Sequence, residues 1–337
     1  MPATHLLVGN PTAQSGKNAA RIERARRALD AAGISCELLA TLPEGATIGA
    51  VQRALDAGQH AVVIAMGGDG TFREVASGLL ESTRAAAVAL GMLPTGTAND
   101  QGHSFGLEAL DEALEQNVGV IVAGRETRLD AGVVTAMDSA GAVAERAFFF
   151  DSLGWGISAR TLALRNEDRK VVEATPLLRD LYRDKLVYAG ALLRTFLESY
   201  VTGDSFKATV VADGEEHVLD QLTDLIIKGT RIYGGAWVFD RASRHDDGLF
   251  EVVPFRGKLD WTSKALVDLE NNPVTEEMLN SIGVEHSRPF RGSHIELAFE
   301  YPHEGAKPAA QIDGEEFVAT ERVKVEVLPR AMRLIVP

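Results

Sequence analysis

Two short loops carry the residue types best suited to chemistry. The first, Met66-Gly67-Gly68-Asp69-Gly70-Thr71-Phe72-Arg73-Glu74, lies between an apolar run and a stretch of helical character. Its three glycines let main-chain amides approach a bound oligophosphate, and the start of the following helix adds positive partial charge. Asp69 would repel a bare anion, so it suits a site where a divalent cation or a hydroxyl mediates the contact. The alternative is a tight strand-to-helix turn with Asp69 as its cap. The second loop, Leu93-Pro94-Thr95-Gly96-Thr97-Ala98-Asn99-Asp100, offers a rigid proline, a glycine, then a hydroxyl, an amide and a carboxylate within four residues. The familiar phosphate motifs do not fit. Six residues separate Gly9 from Gly16-Lys17 where a P-loop needs four, and Asn18 stands where it needs Ser or Thr. A dinucleotide fingerprint started at Gly68 would have Arg73 at its third glycine.

Carboxylates recur in the second half. Asp213-Gly214-Glu215 sits between Val210-Val211 and His217-Val218-Leu219 and reads as a hairpin turn. Asp313-Gly314-Glu315 has the same local sequence, so its neighbours alone do not separate a turn from a catalytic carboxylate. Asp246-Asp247-Gly248-Leu249 is an acidic turn with or without a metal. The eight histidines show no His-x-x-x-His or Cys/His spacing, which argues against a zinc site.

The elements that must position these loops change character near Asp130. Before it, Leu6–Gly9, Cys36–Ala40, Ala61–Met66 and Ala87–Leu93 read as strands, with helices over Asn18–Ala32 and Ile48–Ala57. That alternation predicts a parallel sheet with helices on both faces, which binds ligands at the carboxyl ends of its strands. After it, Val143–Phe150, Phe206–Ala212, Leu222–Lys228, Gly248–Pro254, Ser293–Phe299 and Val323–Leu328 read as strands without a helix between each pair. This predicts a β-rich, mainly antiparallel, sandwich-like second domain, interrupted by helices at Leu177–Leu197 and Leu259–Leu269. The expected boundaries are 1–130, 131–326 and a return of 327–337 to the first domain.

Composition narrows the function classes. With 337 residues, 45% hydrophobic and 24% charged, the chain can build two cored domains. Lys and Arg number 34 against 48 Asp and Glu, and the net charge of −14 argues against general nucleic-acid binding. A single cysteine, Cys36, excludes an internal disulfide framework and fits a reducing cytoplasm. No apolar run approaches the roughly 20 residues that span a bilayer, and the first residues lack the basic start of a signal peptide. Between Gly156 and Tyr200, eight basic residues oppose six acidic ones. This locally positive stretch is expected to dock on an anionic membrane surface, or else to pack its leucines onto the sheet with its charges solvated.

The ordered run of Asn10-Pro11, Gly67-Gly68-Asp69-Gly70-Thr71, Gly96-Thr97-Ala98-Asn99-Asp100, Arg128-Leu129-Asp130, Gly234-Gly235, Asp246-Asp247-Gly248-Leu249 and Asp313-Gly314-Glu315 resembles the diacylglycerol kinase catalytic-domain family of lipid kinases. The resemblance implies the two-domain fold shared with NAD kinases, with ATP bound in the cleft between the domains. By position it implies nucleotide contacts from Asn10, Pro11, Thr12, Ala13, Gln14, Thr41, Gly67, Gly68, Asp69, Gly70, Thr71, Phe72, Arg73, Gly96, Thr97 and Asn99. It implies Glu315 as the acceptor of the lipid hydroxyl's proton, with Asp69, Asp100, Asp130 and Asp313 organising Mg2+. It also implies a secondary magnesium site at Arg244, Asp247 and Leu249, where Arg244 replaces an expected Ser. The implied activity is transfer of the ATP γ-phosphate to a lipid hydroxyl, with diacylglycerol the leading acceptor. The implied setting is cytoplasmic and peripheral to the membrane, with a homodimer by family analogy. Two alternatives stay open: an NAD kinase-like phosphotransferase, and a non-catalytic nucleotide- or lipid-binding regulator.

Overall fold

A computed structural model describes residues 5–12, 17–96, 99–162, 205–233, 238–257, 260, 288–303 and 306–337. The readings at Ala13, Gln14, Thr97, Gly234-Gly235 and the two later helices, Leu177–Leu197 and Leu259–Leu269, lie outside the described residues, save for Asp260. The chain separates into two compact units. One comprises Met1–Ala131, His245–Gly248 and Leu328–Pro337; the other comprises Gly132–Arg244 and Leu249–Val327.

The first unit is an α/β layer. β1 (His5–Gly9), β2 (Cys36–Ala40), β3 (Val62–Gly67) and β4 (Ala89–Pro94) form a parallel sheet in the order β2-β1-β3-β4, with β1 between β2 and β3 in unbroken register. All six residues of β4 are buried, as is β3 from Val63 to Met66, which explains why both read as continuous apolar runs. Residues of one parity, Leu7, Ile64, Met66, Ala89 and Leu93, join a core with Ile22, Ala25 and Leu29 of α1 (Lys17–Ala31) and Leu114, Val118 and Ile121 of α5 (Leu114–Ala123). Each helix supplies one stripe at three- and four-residue spacing, and each buried Leu or Ile contributes about 2 kcal/mol. α2 (Ala46–Ala57) packs against α3 (Asp69–Glu81), and α3 against β3. The last stretch of β15 (Arg322–Ile335) adds a further parallel partner, Arg333 and Leu334 pairing with Ala89 and Leu90. Arg333 also donates to both carboxylate oxygens of Glu126 at 2.7 Å.

The second unit is β-rich and antiparallel, as expected from the sequence. Its strands run in the order β14-β13-β7-β9-β8-β12-β15, with β10 and then β11 branching from β9, and β6 paired with β5. Their bounds are β5 (Glu126–Met137), β6 (Val143–Phe149), β7 (Ser152–Gly156), β8 (Phe206–Ala212), β9 (Glu215–Lys228), β10 (Phe250–Arg256), β11 (Phe290–Gly292), β12 (His294–Glu300), β13 (Ala310–Ile312) and β14 (Glu315–Phe317). β8 and β12 alternate buried and less buried positions, the mark of a sheet with one face on the core. β9 changes partners along its length. Its first half pairs with β8, while residues 224–228 lie between β7 and β10 and are buried throughout. Gln221, at φ 56°, marks the bend between the two stretches. Trp155, Phe149, Phe250 and Phe206 lead the resulting core.

Candidate active site

In the first unit, the expected nucleotide loops emerge at the carboxyl ends of adjacent parallel strands. β3 ends at Gly67, and Asp69 opens α3 directly after Gly68. The Thr95 N–H donates to the Gly67 carbonyl at 2.8 Å, carrying the sheet pairing one step into the loops. Beyond it the two loops touch backbone to backbone. A Cβ built on Gly96 would lie 2.5 Å from the Gly68 Cα, so Gly96 does not tolerate a side chain, and one on Gly68 would sit a tight 3.3 Å from the Gly96 Cα. Asn99 adopts the left-handed conformation (φ 51°), and its Oδ1 accepts the Gly96 N–H at 3.0 Å. The Gln101 N–H points to Asp69 Oδ1 at 3.4 Å, placing the Asp69 carboxylate beside the start of α4 (Asp100–Ser104). Gly67, Gly68, Asp69, Gly96, Asn99 and Asp100 are thus one local structure.

The neighbouring loops join this edge. Asn10 Oδ1 accepts the Thr12 N–H (2.9 Å) and hydroxyl (2.8 Å), closing a turn just after β1. Asn18 Nδ2 donates to the Asn10 carbonyl at 2.7 Å, which gives that residue an anchoring use. Thr41 follows β2, and its N–H donates to the Gly9 carbonyl at 3.1 Å. Three buried amide side chains here keep unpaired polar atoms: Asn18 Oδ1, Asn99 Nδ2, and both ends of Gln101. Leaving such atoms dry costs about 1–3 kcal/mol each, so they suit contact with water or a polar ligand. Gln101 carries no sequence signal of its own beyond its place after Asp100.

Asp130 is a different kind of residue. It is 1% exposed; its Oδ1 accepts the Arg330 N–H at 2.5 Å and its Oδ2 the Gly248 N–H at 2.7 Å. Its own N–H donates to the His245 carbonyl at 2.8 Å. The carboxylate therefore fastens the 245–248 and 328–337 segments to their unit. Burial raises its pKa, the two amides oppose that, and the Asp247 and Asp246 charges add to the rise. Of the expected secondary metal residues, Asp247 and Arg244 are exposed and Leu249 is half-buried.

In the second unit, Glu315 opens β14 after a two-residue turn, half-buried, with Ile312 as its cross-strand partner. Asp313 and Gly314 both have positive φ (46° and 78°), as a type I′ hairpin requires. Asp213 and Gly214 repeat that turn at 49° and 90°, between β8 and β9. The two copies differ in what surrounds them. Asp313 is 3% exposed, and its carboxylate accepts three main-chain N–H groups: Phe150 on Oδ2 (2.9 Å), and Asp151 (2.8 Å) and Ser152 (3.0 Å) on Oδ1. Asp213 is exposed and accepts from the Ser293 and His294 amides and the Ser293 hydroxyl. Like Asp130, Asp313 acts through the backbone it holds.

Among the described residues, no group of three or more His, Cys, Asp or Glu gathers as a metal cage. Magnesium does not require one, since it commonly takes one or two carboxylates, several waters and substrate phosphate oxygens. Asp69 and Asp100 fit that demand. No helix among the described residues is long and apolar enough to cross a membrane.

Residues 4–134 match the diacylglycerol kinase catalytic domain. The protein named "Probable lipid kinase YegS" from Salmonella dublin is 47% identical over 73 residues, which is 21% of this chain and 23% of that relative's length. The fold is shared more widely. A diacylglycerol kinase from Bacillus anthracis superposes with a TM-score of 0.67 at 16% identity, covering 99% of this chain and 97% of that one. Yeast NADH kinase complexed with NADH gives 0.51 at 8% identity, covering 100% and 84%.

Proposed function

We propose that this protein, whose residues 4–134 match the diacylglycerol kinase catalytic domain, is an ATP-dependent lipid kinase that phosphorylates a lipid hydroxyl, with diacylglycerol the leading acceptor. The observation that carries this reading is the junction of the two loops, where Gly68 meets Gly96 and Asp69 lies beside the Asp100 segment. Backbone amides of the glycine loop and the first turn of α3 receive the triphosphate. Asp69 and Asp100 would hold Mg2+, partly through water, and the ion would supply neutralisation of phosphate charge. Asp130 and Asp313 keep their turns in place. Glu315 accepts the proton of the attacking hydroxyl, which a carboxylate within hydrogen-bond reach can do. Asp247, with main-chain carbonyls including that of Leu249, is the candidate for a secondary magnesium ion.

The test is transfer of label from γ-labelled ATP to a panel of diacylglycerol, ceramide, a sphingoid base and NAD. Lipid is the expected product, and Glu315→Gln is expected to lower its formation about 100- to 10,000-fold. Lipid labelling unchanged by that substitution removes Glu315 from its role, and labelling of NAD alone replaces the lipid reading. Reversing the charges of Arg179, Arg183 and Lys185 is expected to reduce sedimentation with anionic vesicles. Unchanged sedimentation removes that segment from membrane docking.

A further inference from the structure

A buried ion pair lies directly behind the turn that Asp313 holds. Lys228, at the end of β9, is 2% exposed and Asp151 is 3% exposed; Lys228 Nζ lies 3.5 Å from Asp151 Oδ1. Lys228 also donates to the Ile232 carbonyl at 2.6 Å and sits 5.4 Å from the centre of the Tyr233 ring. The Thr230 hydroxyl donates to the same Asp151 oxygen, and the Ser152 hydroxyl donates to the other at 3.0 Å. Asp151 thus holds its side chain on Lys228, the last residue of β9, and on Thr230 just beyond it, while its main chain, with those of Phe150 and Ser152, holds Asp313. The Asp313 N–H returns a bond to the Ser152 carbonyl at 2.8 Å. Gln311 closes the circuit: its Nε2 reaches Ser152 Oγ at 3.4 Å and its Oε1 accepts the Gly314 N–H at 2.9 Å.

We propose that Asp151 and Lys228 are positioning residues for Glu315: their ion pair fixes the 150–152 turn, and that turn fixes the Asp313-Gly314-Glu315 hairpin. A cation and an anion inside a β-rich core are a poor source of stability, because desolvation offsets their attraction and apolar residues of similar volume often serve as well or better. They do impose one geometry on the groups they hydrogen-bond, and here those groups lead to the two residues before Glu315: the 150–152 amides to Asp313, and Gln311 to Gly314. A misplacement of about 1 Å at a reacting group costs on the order of 100-fold in rate, which is the scale on which such a brace acts.

The inference rests on Glu315 being the proton acceptor, so its test carries one readout independent of activity. The double variant Asp151→Asn/Lys228→Met removes both charges of the pair at once, and Glu251, across the strand from Lys228, keeps Arg291 at 3.5 Å. Thr230→Val, a smaller change, loosens one bond to Asp151 in case the double variant does not fold. Each is compared with the parent for kcat, for KM of ATP, and for hydrogen exchange at the amides of Gly314 and Glu315. The expected result for the double variant is a kcat reduced about 10- to 100-fold, an ATP KM within about twofold, and faster exchange at both amides. Thr230→Val is expected to move kcat and exchange in the same direction by less. Parental exchange at Gly314 and Glu315 in a folded variant overturns the proposal, as does a kcat that stays at the parental value. A KM for ATP that rises as far as kcat falls also overturns it, because that is general damage. If Glu315→Gln retains full activity, the catalytic assignment fails by itself, and the exchange data still decide whether the pair braces the turn.

Discussion

Replacing Asp313 by Asn tests the anchoring reading at its most exposed point. The carboxylate accepts three main-chain N–H groups, two on Oδ1 and one on Oδ2, at 2.8 to 3.0 Å. Hydrogen bonds to a charged acceptor contribute about 1.5–3 kcal/mol against about 0.5–1.5 for neutral ones, so losing the charge weakens the three by about 3 kcal/mol together. The amide also presents an NH2 group where Oδ2 met the Phe150 N–H, leaving a buried donor unsatisfied at about 1–3 kcal/mol. The expected loss is therefore on the order of 4 to 6 kcal/mol. Asp213→Asn provides the control, because it sits in the same turn with a comparable bond set but in solvent. Water compensates there, and about 1 kcal/mol or less is expected. The assay is urea unfolding of both variants beside the parent, with the slope checked for a common transition. Losses of equal size at the two positions would refute the reasoning, since burial is the main term that separates them.

Two other outcomes follow from the same chain. Glu251, 1% exposed, has its pKa raised from 4.5 to about 7, chiefly by burial, against the pull of the Ser243 hydroxyl, Arg291 and Lys228 and with a small push from Asp240. An acid whose pKa is raised on folding holds more protons folded than unfolded between those values. Stability therefore falls as pH climbs from about 4.5 to about 7, by on the order of 3 kcal/mol. Urea midpoints at pH 5 and pH 8 should differ less in Glu251→Gln than in the parent, and an unchanged difference would sink this account. Gly96→Ala would place its Cβ 2.5 Å from the Gly68 Cα, forcing two backbones apart at about 1–3 kcal/mol. A lower melting temperature and at least about tenfold weaker ATP binding are expected, and normal nucleotide affinity would show that this contact does not shape the site.

The parts of the fold that can be read from sequence are those whose burial writes a simple pattern. β3 and β4 are covered on both faces and appear as apolar runs. β8 alternates faithfully over Phe206–Ala212 because one face meets the core. β7, Ser152–Gly156, escapes notice because two of its five residues are glycine, and three-residue strands such as β13 and β14 are too short to show a period. β9 is longer than its apolar half suggests, since Glu215–Leu219 pairs with β8 at the solvent side. At the candidate site the glycine loops are legible because their chemistry is local. The work of Asp130 and Asp313 is not, because their partners lie 200 and 163 residues away in the chain. Lys228 does leave a trace, a cation ending the apolar run Leu225-Ile226-Ile227, but nothing nearby names Asp151 as its partner.

The placement of residues 328–337 within the α/β unit has a consequence for how the molecule is made. During synthesis the first 131 residues leave the ribosome long before the segment that completes their sheet beside β4. The early chain carries an edge at β4 with its pairing groups uncovered, and closing it requires a contact spanning some 240 residues. Long loops of this kind slow folding and expose intermediates to aggregation. The α/β unit is thus completed only after the strands of the β-rich unit have been made.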